Sequence, residues 1–169
     1  MKIFLIGFMG SGKTTIGKKL ASRLGYLFMD MDKLIEEESQ MTISRIFDEK
    51  GEDEFRRMEN ELILRIIQME DVVVSTGGGV PCFYNNMELI NKYGISIYLK
   101  MKPEDLLKRL QGSKYERPLI RDLSPSELDH YISEKLKDRE PHYLKSKYII
   151  DGSHPDVPGI LEMIVAEET

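Results

Sequence analysis

Three features of the sequence predict an α/β protein built on a parallel sheet. Short apolar runs alternate with helical patterns, as repeated strand–helix–strand units require. The first run, residues 2–6, is almost wholly apolar, as befits a strand buried on both faces. That run breaks into a glycine-rich turn opening onto a basic helix start, the usual junction of such a unit.

The elements follow in order. Residues 2–6 (KIFLI) form the first strand. A helix follows over 13–24, with Ile16, Leu20 and Leu24 at helical spacing. Residues 27–30 make a short second strand, 72–75 (VVVS) a third, 96–100 (SIYLK) a fourth and 148–151 (YIID) a fifth. Further helices are expected near 33–38, 43–50, 52–69, 86–93, 103–111, 125–138 and 157–167. Ser124-Pro125-Ser126-Glu127 is a start signal, with Ser as cap, Pro at the first position and Glu at the third. Residues 112–124 are polar and without periodicity, which reads as a flap. Nothing in the 169 residues resembles a repeat or a linker, so one domain is expected over 1–169.

Composition narrows the function. With 24 basic residues against 29 acidic ones the formal charge is −5, and such a body repels a nucleic-acid backbone. The single cysteine, Cys82, forbids an intrachain disulfide and suits a reducing compartment. Cys82 reads as a small packed side chain rather than a reactive thiol. The longest uncharged run, 72–87, holds three glycines and a proline and cannot be a membrane helix. The start of the chain has no pattern of a leader. These points predict a cytoplasmic protein that binds neither nucleic acid nor membrane.

The chemistry begins at Gly7-Phe8-Met9-Gly10-Ser11-Gly12-Lys13-Thr14, which fits G-x-x-x-x-G-K-[ST]. Glycines allow positive φ, so successive N–H groups can face phosphate oxygens, and the helix N-terminus adds its positive end. Lys13 can reach the β- and γ-phosphates, Thr14 can ligate Mg²⁺, and Thr15 can touch the α-phosphate. The chain is expected to bind a nucleoside triphosphate with magnesium.

Other candidates cluster at strand ends, where parallel sheets place ligands. Asp30 and Asp32 flank Met31, and alternate residues of an extended chain share a face, so one could sit near Mg²⁺ and the other near an acceptor hydroxyl. A second reading makes Asp32 the cap of the next helix. Gly77-Gly78-Gly79 after VVVS offers bare backbone to a ligand, more than a turn needs. Arg56 and Arg57 stand in GEDEFRRMENE, where a solvated, salt-bridged helix face is the plain reading. Arg117 falls in the flap, and Arg139 at the end of the 125–138 helix, where a cation favours the dipole.

Taken together, GSGKTT, DMD, FRRME, STGGG, ERPL and DREPHY, in that order and spacing, closely resemble shikimate kinase from Met1 through the last helix. The resemblance implies a phosphate-loop kinase fold: a five-stranded parallel sheet of order 2-3-1-4-5, helices on both faces, an acceptor-binding helical segment near 32–60 and a lid near 112–124. It implies transfer of the γ-phosphoryl of ATP to the 3-hydroxyl of shikimate, on the route to chorismate and the aromatic amino acids, by a monomer.

The resemblance also distributes roles. Gly10, Ser11, Gly12, Lys13, Thr14 and Thr15 would bind ATP, with Arg109 against adenine beside the 152–157 loop and Arg117 on the phosphates. Thr14 and Asp30 would serve Mg²⁺. Asp32 would bind shikimate hydroxyls and orient or deprotonate the acceptor oxygen. Arg56 and Arg139 would hold its carboxylate, Gly77, Gly78 and Gly79 would line the pocket, Glu59 would pair with Arg56, and Phe47 and Phe55 would wall the ring. Lys13, Asp32 and Arg117 are thus the expected catalytic groups. Bidentate arginines fit a carboxylate in an otherwise acidic protein. Alternatives are a kinase for gluconate or a nucleoside monophosphate, and a non-catalytic nucleotide switch. A guanine-reading N-K-x-D is absent: Asn91-Lys92-Tyr93-Gly94 lacks its aspartate.

Overall fold

The structure, a computed structural model, describes residues 1–113 and 120–167. Five parallel strands, β1 (Lys2–Ile6), β2 (Leu27–Asp30), β3 (Val72–Ser75), β4 (Ile95–Lys100) and β5 (Tyr148–Asp151), lie in the order β2-β3-β1-β4-β5. The order is the one expected. β1 is central, paired with β3 through Phe4–Val74 and with β4 through Leu5–Ile97.

The pleat assigns the layers. Ile3 and Leu5, with Val73, Ile95, Ile97 and Leu99, pack against Ile16 and Leu20 of helix α1 (Lys13–Leu24) and Ile160 and Ile164 of α8 (Val157–Ala166). Phe4, Ile6, Val72, Val74 and Tyr98 face the other way. There they meet the helices α2 (Met31–Ser39), α3 (Ile43–Lys50), α4 (Glu52–Ile66), α5 (Asn86–Tyr93), α6 (Pro103–Gln111) and α7 (Pro125–Tyr143). The period-2 alternation of a strand thus sends each second residue of β1 to a different core. No helix among the described residues is long and apolar enough to cross a membrane.

Local chemistry sets the boundaries. Gly12 (φ 95°) precedes α1 and Gly25 (φ 72°) ends it. Ser124 and Glu127 form the expected reciprocal cap: Ser124 Oγ accepts from the Glu127 N–H at 3.2 Å, and Glu127 Oε2 accepts from the Ser124 N–H at 2.7 Å. Asn91 is used in packing, its amide donating to the Lys145 carbonyl at 2.8 Å while its oxygen accepts from Ser96.

Three expectations change. Helix α2 starts at Met31, because Asp30, not Asp32, is its cap and accepts from the Lys33 N–H at 3.3 Å. The extended geometry that would have put Asp30 and Asp32 on one face therefore ends at Asp30. Helix α7 continues through Pro141 to Tyr143, so Arg139 lies within the helix and not at its end. Proline forfeits one N–H, yet Leu144 N still reaches the Glu140 carbonyl at 2.9 Å and closes the last turn. Helix α4 ends at Ile66 rather than at 69, and after Gly79 the chain forms a 3₁₀ turn, Val80–Cys82.

Candidate active site

The phosphate loop joins β1 to α1. Gly7, Gly10 and Gly12 take φ of 153°, 80° and 95°, as N–H groups turned to a common centre require. Lys13 opens the helix, and its Nζ donates to the carbonyls of Gly7 at 2.7 Å and Phe8 at 2.9 Å. The Ser11 hydroxyl is buried at the same turn with no hydrogen-bond partner among the described residues. Thr15 is exposed in the first turn of α1.

Two hard oxygen ligands meet beside the loop. Thr14 Oγ1 donates to Asp30 Oδ2 at 3.0 Å, so strand β2 ends with its carboxylate against the helix that follows the loop. A hydroxyl and a carboxylate are the donors a Mg²⁺ ion takes when phosphates and water complete its shell. The pair fits such an ion.

Across the phosphate loop, Arg109 of α6 bridges two loops. Its Nη1 donates to the Gly10 carbonyl at 3.3 Å and its Nη2 to the Gly152 carbonyl at 3.1 Å. The planar guanidinium thus spans the gap between the phosphate loop and the segment after β5.

The second half of the site surrounds Gly77-Gly78-Gly79 at the end of β3. A Cβ on Gly77 would lie 2.8 Å from Asp32 Oδ1 and 2.9 Å from Glu59 Oε1. One on Gly78 would lie 3.0 Å from Arg139 Nη1 and 3.7 Å from the Gly7 carbonyl oxygen, and one on Gly79 only 2.2 Å from Arg56 Nη1. None of the three has positive φ. Glycine is needed here for space, since two carboxylates and two guanidiniums press on the backbone.

Arg56 is 7% exposed, and each of its three nitrogens donates a hydrogen bond. Nη1 donates to Glu59 Oε2 at 2.8 Å, while Nε and Nη2 donate to Glu52 Oε1 at 3.3 and 3.2 Å. Its guanidinium carbon lies 4.2 Å from the Phe83 ring centre, 5.2 Å from Phe55 and 5.9 Å from Phe47. Phe47 and Phe55 pack with centroids 4.9 Å apart. Glu59, 1% exposed, has its carboxyl pushed up to about 7 by burial, with Arg56 pulling down and Asp32 pushing further up.

Arg139 sits 5.8 Å from the Phe8 ring centre, next to the phosphate loop. Tyr143, one turn on, donates to the Gly78 carbonyl at 2.5 Å. Burial pushes its phenol well above the ordinary range while Arg139 pulls it down, so the proton stays on at neutral pH. Burial likewise raises the Cys82 thiol to about 11, which leaves it protonated and unreactive.

Of the expected site residues, Asp32, Arg56, Glu59, Gly77, Gly78, Gly79 and Arg139 come together around one edge. Thr14, Asp30, Lys13 and Arg109 stand around the loop beside it. Arg117 lies outside the described residues. Sequence reasoning missed Phe83, whose ring carries Arg56, and Phe8, which carries Arg139. It also missed Glu52, for which the four-residue spacing to Arg56 was an available signal. A separate cavity of about 810 Å³ lies between Leu136, Glu140, Lys100 and Ile149, and Ser153 and His154 of the expected 152–157 loop also line it.

Sheet order, phosphate loop and a charged glycine edge beside it define a phosphotransferase of the phosphate-loop kinase class. The family model for shikimate kinase matches residues 9–167. The chain belongs to the shikimate kinase family. It is 44% identical over 151 residues to the shikimate kinase of Parabacteroides distasonis, covering 89% of this chain and 87% of the relative. The crystal structure of shikimate kinase from Bacteroides thetaiotaomicron superposes with a TM-score of 0.94 at 37% identity, over 98% of both chains. That of Acinetobacter baumannii shikimate kinase in complex with shikimate has a TM-score of 0.86 at 33% identity, over 98% of this chain and 93% of the other.

Proposed function

We propose that the chain transfers the γ-phosphoryl of ATP to the 3-hydroxyl of shikimate, with the acceptor lying on the Gly77–Gly79 edge. One observation carries this reading: Asp32, Glu59, Arg56 and Arg139 converge on bare backbone that itself approaches the phosphate loop at Gly7. Two guanidiniums suit the carboxylate of a hydroxylated ring acid, and a carboxylate beside them suits its hydroxyls.

In this reading the loop N–H groups and Lys13 hold the triphosphate, and the Lys13 ammonium exchanges the carbonyls of Gly7 and Phe8 for phosphate oxygens. The unpartnered Ser11 hydroxyl supports an anion in the loop. Thr14 and Asp30 hold Mg²⁺, which when bound neutralises phosphate charge. Arg109 packs on the adenine, and Arg117 joins the phosphates. Arg56 and Arg139 fix the acceptor carboxylate while the Phe47 and Phe55 rings wall the apolar side.

Asp32 orients the acceptor oxygen. As the oxygen bonds to the γ-phosphorus, the bond to the β–γ bridging oxygen breaks and ADP leaves. The hydroxyl proton passes to Asp32 or to a transferred phosphate oxygen. Phosphoryl transfer asks mainly for positioning and charge neutralisation, so a strong base is not needed. One chain supplies every group named, and the reading places a monomeric enzyme in the cytoplasm.

The test is ADP release from MgATP with shikimate, gluconate or a nucleoside monophosphate as acceptor. Stimulation by shikimate alone is expected. Stimulation by gluconate or a nucleotide instead would overturn the acceptor assignment, and ATP binding without any turnover would favour a switch.

A further inference from the structure

The acceptor pocket holds its charges in balance before any acceptor arrives. With Glu59 ionised, Arg56 and Arg139 contribute two formal positive charges, and Glu59 and Asp32 two negative ones. Glu52 touches Arg56 from the rim, its side chain 53% exposed and its charge accordingly screened. An acceptor carboxylate adds a charge that the described groups do not offset. The surplus falls where screening is weakest, since Glu59 is 1% exposed.

Competition for donors sharpens the conflict. Arg56 Nη1 is held by Glu59 at 2.8 Å, and Nε and Nη2 by Glu52. A carboxylate that takes Arg56 in a two-pronged contact competes with these partners for its charge. Glu59 then faces Asp32 of α2 and the incoming anion with a weakened hold on its cation. Arg139 of α7 is drawn to the same anion. The Cys82 thiol, from the turn after Gly79, is the remaining titratable neighbour, and burial keeps it neutral.

Resting on the reading that this edge receives an anionic acceptor, we infer that acceptor binding is coupled to uptake of one proton by Glu59. Glu59 is therefore a positioning residue whose charge state restores neutrality to the pocket. Asp32 keeps its place toward the hydroxyl. The carboxyl of Glu59 already sits at about 7, so a modest further rise moves it across the neutral range.

Calorimetric titration of shikimate into the protein at pH 7.5, in buffers of differing ionisation enthalpy, reads the proton directly. Because the carboxyl starts at about 7, a further rise on binding gives uptake of a large fraction of a proton per acceptor at this pH. The acceptor Kd then rises about five- to ten-fold from pH 6 to pH 8. In Glu59→Gln both effects vanish while binding heat remains. Carbon-13 labelling of the glutamate carboxyls in the unmutated protein follows Glu59 directly, should that variant fail to fold. Its resonance should move toward the protonated position on saturation.

Binding without proton uptake overturns this inference and leaves the acceptor assignment standing. Uptake that persists in Glu59→Gln assigns the proton elsewhere and overturns it too. Absence of binding heat, and of competition for a bound acceptor, overturns both readings together.

Discussion

The Tyr143 hydroxyl donates to the Gly78 carbonyl across 2.5 Å, tying the last turn of α7 to the end of β3. The Tyr143 ring also packs 5.2 Å from Tyr98, whose hydroxyl donates to Glu140 at 3.1 Å. Arg139 therefore hangs on a helix pinned at both β3 and β4. Tyr143→Phe keeps the ring and removes the tie. The variant should lose about 1–2 kcal/mol in denaturant unfolding, with the Gly78 carbonyl left under-satisfied. The acceptor KM should rise several-fold, and an unchanged KM would separate the tie from Arg139 placement.

Gly79→Ala tests whether glycine serves space or conformation. Gly79 takes φ −91° and ψ −15°, which alanine adopts without strain, so only the added methyl matters. That methyl would lie 2.2 Å from Arg56 Nη1, and Phe83 and Glu59 block the retreat. The acceptor KM should rise roughly 10- to 100-fold while the ATP KM stays within about two-fold, since a displaced anchor misplaces only its own ligand. Equal effects in steady-state kinetics would argue against a separate acceptor edge.

Arg109→Ala should act on the other substrate. A guanidinium lying on an aromatic base contributes about 0.5–2 kcal/mol, or roughly 2- to 30-fold in the ATP KM. The acceptor KM should hold. Direct titration with ATP separates this from loop damage, since loss of the contacts to Gly10 and Gly152 alone should lower Tm without selective loss of adenine recognition.

Glu59 predicts a pH dependence of stability. Its carboxyl is raised from 4.5 to about 7 in the folded protein, so between these values the folded state holds the proton that the unfolded state has lost. Its contribution is full below pH 4.5 and is lost as pH rises through 7. Across pH 5 to 8 the loss amounts to about 2–3 kcal/mol. In Glu59→Gln that slope should disappear from denaturant midpoints. A parallel pH profile for both proteins would show that burial does not hold the carboxyl protonated.

Much of this was legible in advance because it is local. Strands β1 to β5 announce themselves as apolar runs, and the loop glycines and the Ser124 cap rely on neighbours within a few residues. The start of α2 was misjudged because Asp30 and Asp32 are equally good caps by type. Only the path of the chain after β2 selects Asp30. The end of α7 lies beyond the expected 138, past Pro141, because Tyr143 anchors the turn there through long-range contacts. Phe83 under Arg56 is a meeting of residues 27 positions apart. No pattern along the chain reports it, and the acidic company of Arg56 even suggested a solvated face.

The aromatic seat of Arg56 has a consequence for how an acceptor is met. A free arginine samples many rotamers and would surrender that freedom on engaging a ligand, at a cost of about 2 kcal/mol. Here Phe47, Phe55 and Phe83 confine the side chain when the protein folds. The motional loss falls on the folding step, and the encounter with substrate finds a side chain already still. With the acceptor on this edge as proposed, affinity there would be set by the exchange of charge partners rather than by the freezing of the anchor.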